Sequence, residues 1–117
     1  MANAKPRKEQ LDDELRFLTG NAQIGTTYTF VLADGDGTTF VTMSNASANT
    51  ITVPPNSSVA FPVGTKLLVI QLGAGSTTVA QGVGVTINTP ASIPLEIAEQ
   101  HSSRGLIKTA TDTWQMI

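Results

Sequence analysis

From residue 28 onward, apolar and polar positions alternate in short bursts separated by turn residues, which is the pattern of β-strands. Tyr28, Phe30 and Leu32 fall on one face of a first strand. Ala33-Asp34-Gly35-Asp36-Gly37 reads as a hairpin turn into Thr39-Phe40-Val41-Thr42-Met43. Thr50-Ile51-Thr52-Val53 and Ser58-Val59-Ala60-Phe61 alternate with period two, and Pro54-Pro55-Asn56 between them cannot join a ladder. Leu67-Leu68-Val69-Ile70 is a short unbroken apolar run, the signature of a central strand buried on both faces. Thr77-Thr78-Val79-Ala80 and Val85-Thr86-Ile87 follow, set off by glycine pairs at 73 and 75 and at 82 and 84 that suit tight reversals with positive φ. Pro94 marks residues 93 to 97 as an edge strand. A last hairpin turns at Ala110-Thr111-Asp112, with Trp114 and Met116 on one face. About nine short strands near ten residues apart predict an all-β fold, an antiparallel β-sandwich or jelly-roll-like barrel.

The chain before residue 26 is of another kind. Eight of the sixteen charged residues (Lys5, Arg7, Lys8, Glu9, Asp12, Asp13, Glu14, Arg16) lie before residue 17. Leu11, Leu15 and Leu18 recur at helical spacing, Pro6 suits a first turn and Thr19-Gly20 a stop, so the pattern predicts a short amphipathic helix over residues 7 to 18. A helix of about twelve residues is marginal alone, so Leu11, Leu15, Phe17 and Leu18 need a surface, either the chain's own domain or a partner. Residues 21 to 27 read as a linker. The expected organisation is an N-terminal arm over residues 1 to 25 and a β-domain over 26 to 117.

Composition narrows the function classes. The chain has 117 residues, of which 40% are hydrophobic but only 14% charged, and its polar positions are mostly Thr, Ser, Asn and Gly. A net charge of -2 and a pI near 5.1 provide no field for a nucleic-acid backbone, so no nucleic-acid partner is expected. With no cysteine, neither a disulfide framework nor a thiolate metal site is available. The basic N-terminus runs into charge, not into an apolar segment, and no apolar run approaches a span, so neither an export signal nor a membrane partner is expected, and synthesis is placed in the cytoplasm.

Candidate chemistry is sparse. Asp34 and Asp36 are an acidic pair in a loop, but a calcium ion needs six or more oxygens, and a turn already accounts for Asp-Gly between strands. A catalytic reading rests on His101, the only histidine, with Ser102, Ser103 or Asp112, and no nucleophile elbow accompanies it. One His without Cys cannot hold zinc. The glycine pairs precede strands, where a phosphate cradle needs a helix start. No catalytic residue, metal or cofactor is therefore expected. Trp114 reads as core, with a sugar-stacking platform as the alternative.

The phrases Tyr28-Thr29-Phe30-Val31-Leu32, Val41-Thr42-Met43-Ser44-Asn45-Ala46-Ser47-Ala48-Asn49-Thr50-Ile51-Thr52-Val53-Pro54, Phe61-Pro62-Val63-Gly64-Thr65, Val69-Ile70-Gln71, Gly73-Ala74-Gly75 and Asp112-Thr113-Trp114 occur in that order. From residue 26 to 117 the chain resembles a small β-domain of tailed-bacteriophage structural proteins, found in tail-fibre-like and head-fibre or decoration chains and in short stand-alone virion proteins. The resemblance implies no catalytic residues. Together with the few charges, the missing disulfides and a segment unable to fold alone, it implies a decoration or cement protein on the capsid exterior. Its expected partners are the major capsid protein and itself, as a homotrimer, with the arm residues Leu11, Leu15, Phe17 and Leu18 as attachment points. The alternative is a receptor- or carbohydrate-binding tip of a tail or head fibre, using Trp114 and Tyr28.

Overall fold

In the computed structural model, which describes residues 17 to 117, strands pair mainly with the strand two places along the chain. β1 (Thr19–Gln23), β3 (Thr39–Met43) and β5 (Lys66–Gln71) lie parallel in a larger sheet. β2 (Thr27–Thr29), β4 (Asn49–Val53) and β6 (Thr77–Gln81) lie parallel in a smaller one. The chain thus crosses from one sheet to the other after each strand and returns one level on, winding three solenoid-like coils. The step between coils is uneven: Thr19 aligns with Thr39, but Val41 aligns with Val69 and Asn49 with Thr77.

The stack ends at the third coil because the chain reverses on both sheets. β8 (Glu96–Ile97) runs antiparallel to β6, and β9 (Ser103–Ala110) runs antiparallel to β5. β10 (Thr113–Met116) returns along β9 and pairs in parallel with β7 (Thr86–Asn88). The resulting orders are β1-β3-β5-β9-β10-β7 and β2-β4-β6-β8. At the other end β1 and β2 each have one edge unpaired among the described residues.

Period-two alternation sends one set of side chains between the sheets. Val41, Met43, Leu67, Val69 and Leu106 of the larger sheet face Ile51, Val53, Val79 and Ile97 of the smaller, all at most 1% exposed. Each such side chain contributes on the order of 1.5–3 kcal/mol by leaving water. Trp114 stands edge-on to Phe61, ring centroids 5.6 Å apart. Buried Lys108 reaches over the indole and donates from Nζ to the Asn56 side-chain oxygen and the Phe61 carbonyl, both at 2.7 Å.

Two turns stack where the second coil meets the third. Asn49, 3% exposed, accepts a hydrogen bond from the Thr77 hydroxyl at 2.5 Å and donates to the Ser47 carbonyl at 3.0 Å. Gly73 and Gly75 lie against residues 45 to 47 so closely that a Cβ on Gly75 would stand 2.0 Å from the Ser47 carbonyl oxygen. These glycines serve close approach of backbones; positive φ falls instead on Gly37, Gly64 and Gly84, and on His101 and Asp112.

Several expectations are corrected. The all-β class holds, but the antiparallel sandwich or jelly-roll-like barrel is replaced by mixed sheets with parallel, solenoid-like stacking. Residues 33 to 37 make no hairpin: Leu32–Gly35 is a single 3-10 turn, and the strands beside it belong to different sheets. Residues 58 to 61 form no strand, although Phe61 is buried. The helical arm predicted over residues 7 to 18 falls, up to residue 16, outside the described residues; Phe17 and Leu18 carry no helical turn, and the supposed stop together with the first residues of the supposed linker is β1, inside the larger sheet.

Candidate interaction surfaces

The acidic loop is occupied by its own chain. Asp34, 2% exposed, turns its carboxylate inward and accepts from the Tyr28 hydroxyl at 2.7 Å, Asn21 Nδ2 at 2.9 Å and the Val31 N–H at 2.9 Å. Gln23 extends the network by donating to Asn21 Oδ1. Burial, reinforced by the hydrogen bond to Asp34 and its charge, pushes the Tyr28 phenol up to about 12. Asp36 points the other way and accepts from the Thr38 N–H and the Thr38 and Thr39 hydroxyls. Those donors, the Thr38 N–H foremost, hold its carboxyl below the usual value. The two carboxylates thus diverge and tie down their own turn, and among the described residues no three His, Asp or Glu side chains gather as a metal site.

The other sequence candidates are spread apart. His101 sits at a left-handed turn, donating its N–H to the Gln71 carbonyl at 2.7 Å. Asp112 lies beyond the far end of β9, roughly 25 Å away at the rise of a strand, and its carboxylate holds the Asn56 N–H. Ser102 and Ser103 stay with His101, so no triad assembles. Trp114 is 1% exposed and belongs to the core, out of reach of a sugar face. Tyr28 is half-buried and its hydroxyl is committed to Asp34.

What the fold presents outward differs between the sheets. On the smaller sheet, register sets Thr27, Thr50 and Thr78 side by side, and Thr29 beside Thr52, giving a hydroxyl-rich face. On the larger sheet the outward positions include a group of apolar side chains, Ala22 on β1, Phe40 on β3, Leu68 and Ile70 on β5 and Ile107 on β9, beside polar Thr42, Lys66, Ser103 and Gln115. The Phe40 ring lies across Gly20, where a Cβ would meet it at 2.9 Å. A shallow hollow at one end of this face is lined by Leu18, Gly37, Thr39, Lys66 and Leu68. Leu18 and Ile117 on its rims are more than half exposed, and Phe17 is 96% exposed. Of the arm residues read from the sequence, Leu18 stands at this face and Phe17 projects into solvent, while Leu11 and Leu15 lie outside the described residues.

The unbroken apolar run Leu67 to Ile70 reads in the sequence as buried on both sides, which hides this face. The alternation of burial along β5, with Leu67 and Val69 fully buried and Leu68 and Ile70 only partly so, shows one side turned outward. No family model, curated protein or solved structure matches the chain.

Proposed function

We propose that this chain is a structural subunit of a tailed-bacteriophage virion, a decoration or cement protein that binds the outer capsid surface through its β-domain and the segment before β1. The single observation that carries an assembly role is the apolar outer face of the larger sheet: Phe40, Leu68, Ile70 and Ile107, framed by exposed Leu18 and Ile117, need a cover that the described residues do not supply. The resemblance of residues 26 to 117 to virion β-domains supplies the setting. The major capsid protein and further copies of the chain, as a homotrimer, are the partners in this reading, and neither nucleic acid nor membrane enters it.

The receptor- or carbohydrate-binding tip draws less support, since Trp114 lies in the core and the Tyr28 hydroxyl is bound to Asp34. Quantitative mass spectrometry of purified particles against the major capsid protein tests the assignment. Copies in simple ratio to the shell subunit are expected; a handful per particle would replace decoration by a fibre or tail role, and absence from particles would end the virion reading.

A further inference from the structure

We propose that Lys108 and Asn56 join in an intramolecular isopeptide bond, tying β9 to the loop after β4. A lysine removed from water ordinarily has a charged partner. Lys108 is 3% exposed, yet the two groups that receive its Nζ are neutral, the Asn56 amide oxygen and the Phe61 carbonyl, both at 2.7 Å. An amine held on an amide oxygen at that distance stands roughly 3 to 4 Å from the amide carbon, the range from which a nucleophile attacks.

The surroundings favour the amine over water as that nucleophile. Phe61 and Trp114 wall the site, 2% and 1% exposed, and Nζ lies 5.9 Å from the centre of the indole. The last hairpin sets one side of the site, because Lys108 and Trp114 face each other in register across β9 and β10. Asn56 comes to it from 52 positions away in sequence. Its backbone N–H donates to the Asp112 carboxylate at 2.6 Å, so the loop is anchored to the same hairpin at a second point. Asn56 itself is only partly buried, which leaves its amide nitrogen a way out to solvent.

The step exchanges one amide for another. Nζ attacks Cγ of Asn56, the Nζ–Cγ bond forms, the Cγ–Nδ2 bond breaks, and the leaving nitrogen departs with the protons given up by the amine. A lysine ammonium and a carboxamide thus become a secondary amide and an ammonium ion, with atoms and charge in balance and no redox partner. The product carries no charge in the core, where an ammonium is costly. In a chain without cysteine it supplies the covalent cross-link that a disulfide cannot. The inference does not rest on the virion assignment, because it concerns the free chain.

Intact-mass spectrometry and tryptic mapping of the purified full chain, incubated at neutral pH until its mass is constant, test it. The expected mass is that of the unreacted chain less one ammonia. Trypsin should no longer cut after Lys108, and one branched peptide should join the fragment holding Asn56 to residues 105 to 117. Lys108→Met, which fills the site with an unbranched apolar side chain, should keep the unreacted mass. A parent chain of unreacted mass overturns the proposal. So does an ammonia loss that persists in Lys108→Met or maps away from Lys108, since a succinimide at an asparagine sheds the same mass without the lysine. The peptide map of the parent decides the matter whether or not the variant folds.

Discussion

Asn49 joins the second coil to the third by side-chain bonds, and its removal should cost more than its surface suggests. In Asn49→Ala, the Thr77 hydroxyl and the Ser47 carbonyl lose their partner at sites that are 0% and 3% exposed for Thr77 and Asn49 themselves. A neutral hydrogen bond contributes about 1 kcal/mol net, and a buried group left unpaired costs about 1–3 kcal/mol. The contact from Asn49 Nδ2 to the Gly75 carbonyl, at 3.4 Å, adds little. The expected loss is about 2–4 kcal/mol, a large share of the roughly 5–15 kcal/mol of an ordinary domain. Thr77→Val keeps the shape and orphans only Asn49 Oδ1, so it should cost about 1–2 kcal/mol. In the double variant the orphaned hydroxyl is gone, and the combined loss should fall short of the sum by about 1 kcal/mol. Urea denaturation of the four proteins, fitted for midpoint and slope, measures each term. Additivity within about 0.5 kcal/mol, or an Asn49→Ala cost below that figure, would refute the claim that this pair staples the coils.

Gly75→Ala should be worse than any surface change, because its Cβ would stand 2.0 Å from the Ser47 carbonyl oxygen and backbone must move to admit it; circular dichroism and thermal melting should show a grossly destabilised or unfolded chain, whereas Gly25→Ala, with nothing nearer than 4.0 Å, should melt close to the parent. Tyr28 is the only tyrosine, so absorbance titration near 295 nm reads it alone, and half-ionisation is expected near pH 12 instead of 10. Because the folded state holds this proton more tightly than the unfolded one, its contribution is fully present below pH 10 and is lost as pH rises through about 12. Stability measured over that window should fall more steeply for the parent than for Tyr28→Phe, and equal slopes would remove the link.

Alternation along the chain correctly locates most of the strands, since burial on one face is a local property: the strands near residues 39 to 43, 50 to 53, 67 to 70 and 77 to 80 are present, and so are the terminal hairpin and the edge at Pro94. It says which face is buried and nothing about which strand lies beside it. Adjacent strands therefore read as hairpins, whereas the turns at residues 32 to 38 and 44 to 48 carry the chain across to the opposite sheet. β1 escaped because Thr-Gly-Asn-Ala-Gln has no apolar period; its inward residues are polar, Asn21 donating to Tyr28 and Asp34 and Gln23 donating to Asn21. The glycine pairs were visible, but composition cannot distinguish a glycine needed for positive φ from one needed to let two backbones touch. Of the outward-facing apolar positions, Phe40 and Leu68 were legible only as strand residues, because their exposure depends on the sheet order.

The order β5-β9-β10-β7 also sets when the larger sheet can form. β7 emerges from the ribosome before β9 and β10, yet reaches β5 only across them. Until β9 has been made β5 has an open flank, and until β10 has been made β7 has no partner in its sheet, so completion of the sheet waits on contacts distant in sequence, the kind that fold slowly. Chains in which the β9-β10 hairpin has not yet docked therefore offer unsatisfied strand edges to one another, and the yield of native protein depends on how quickly that hairpin closes the gap between β5 and β7.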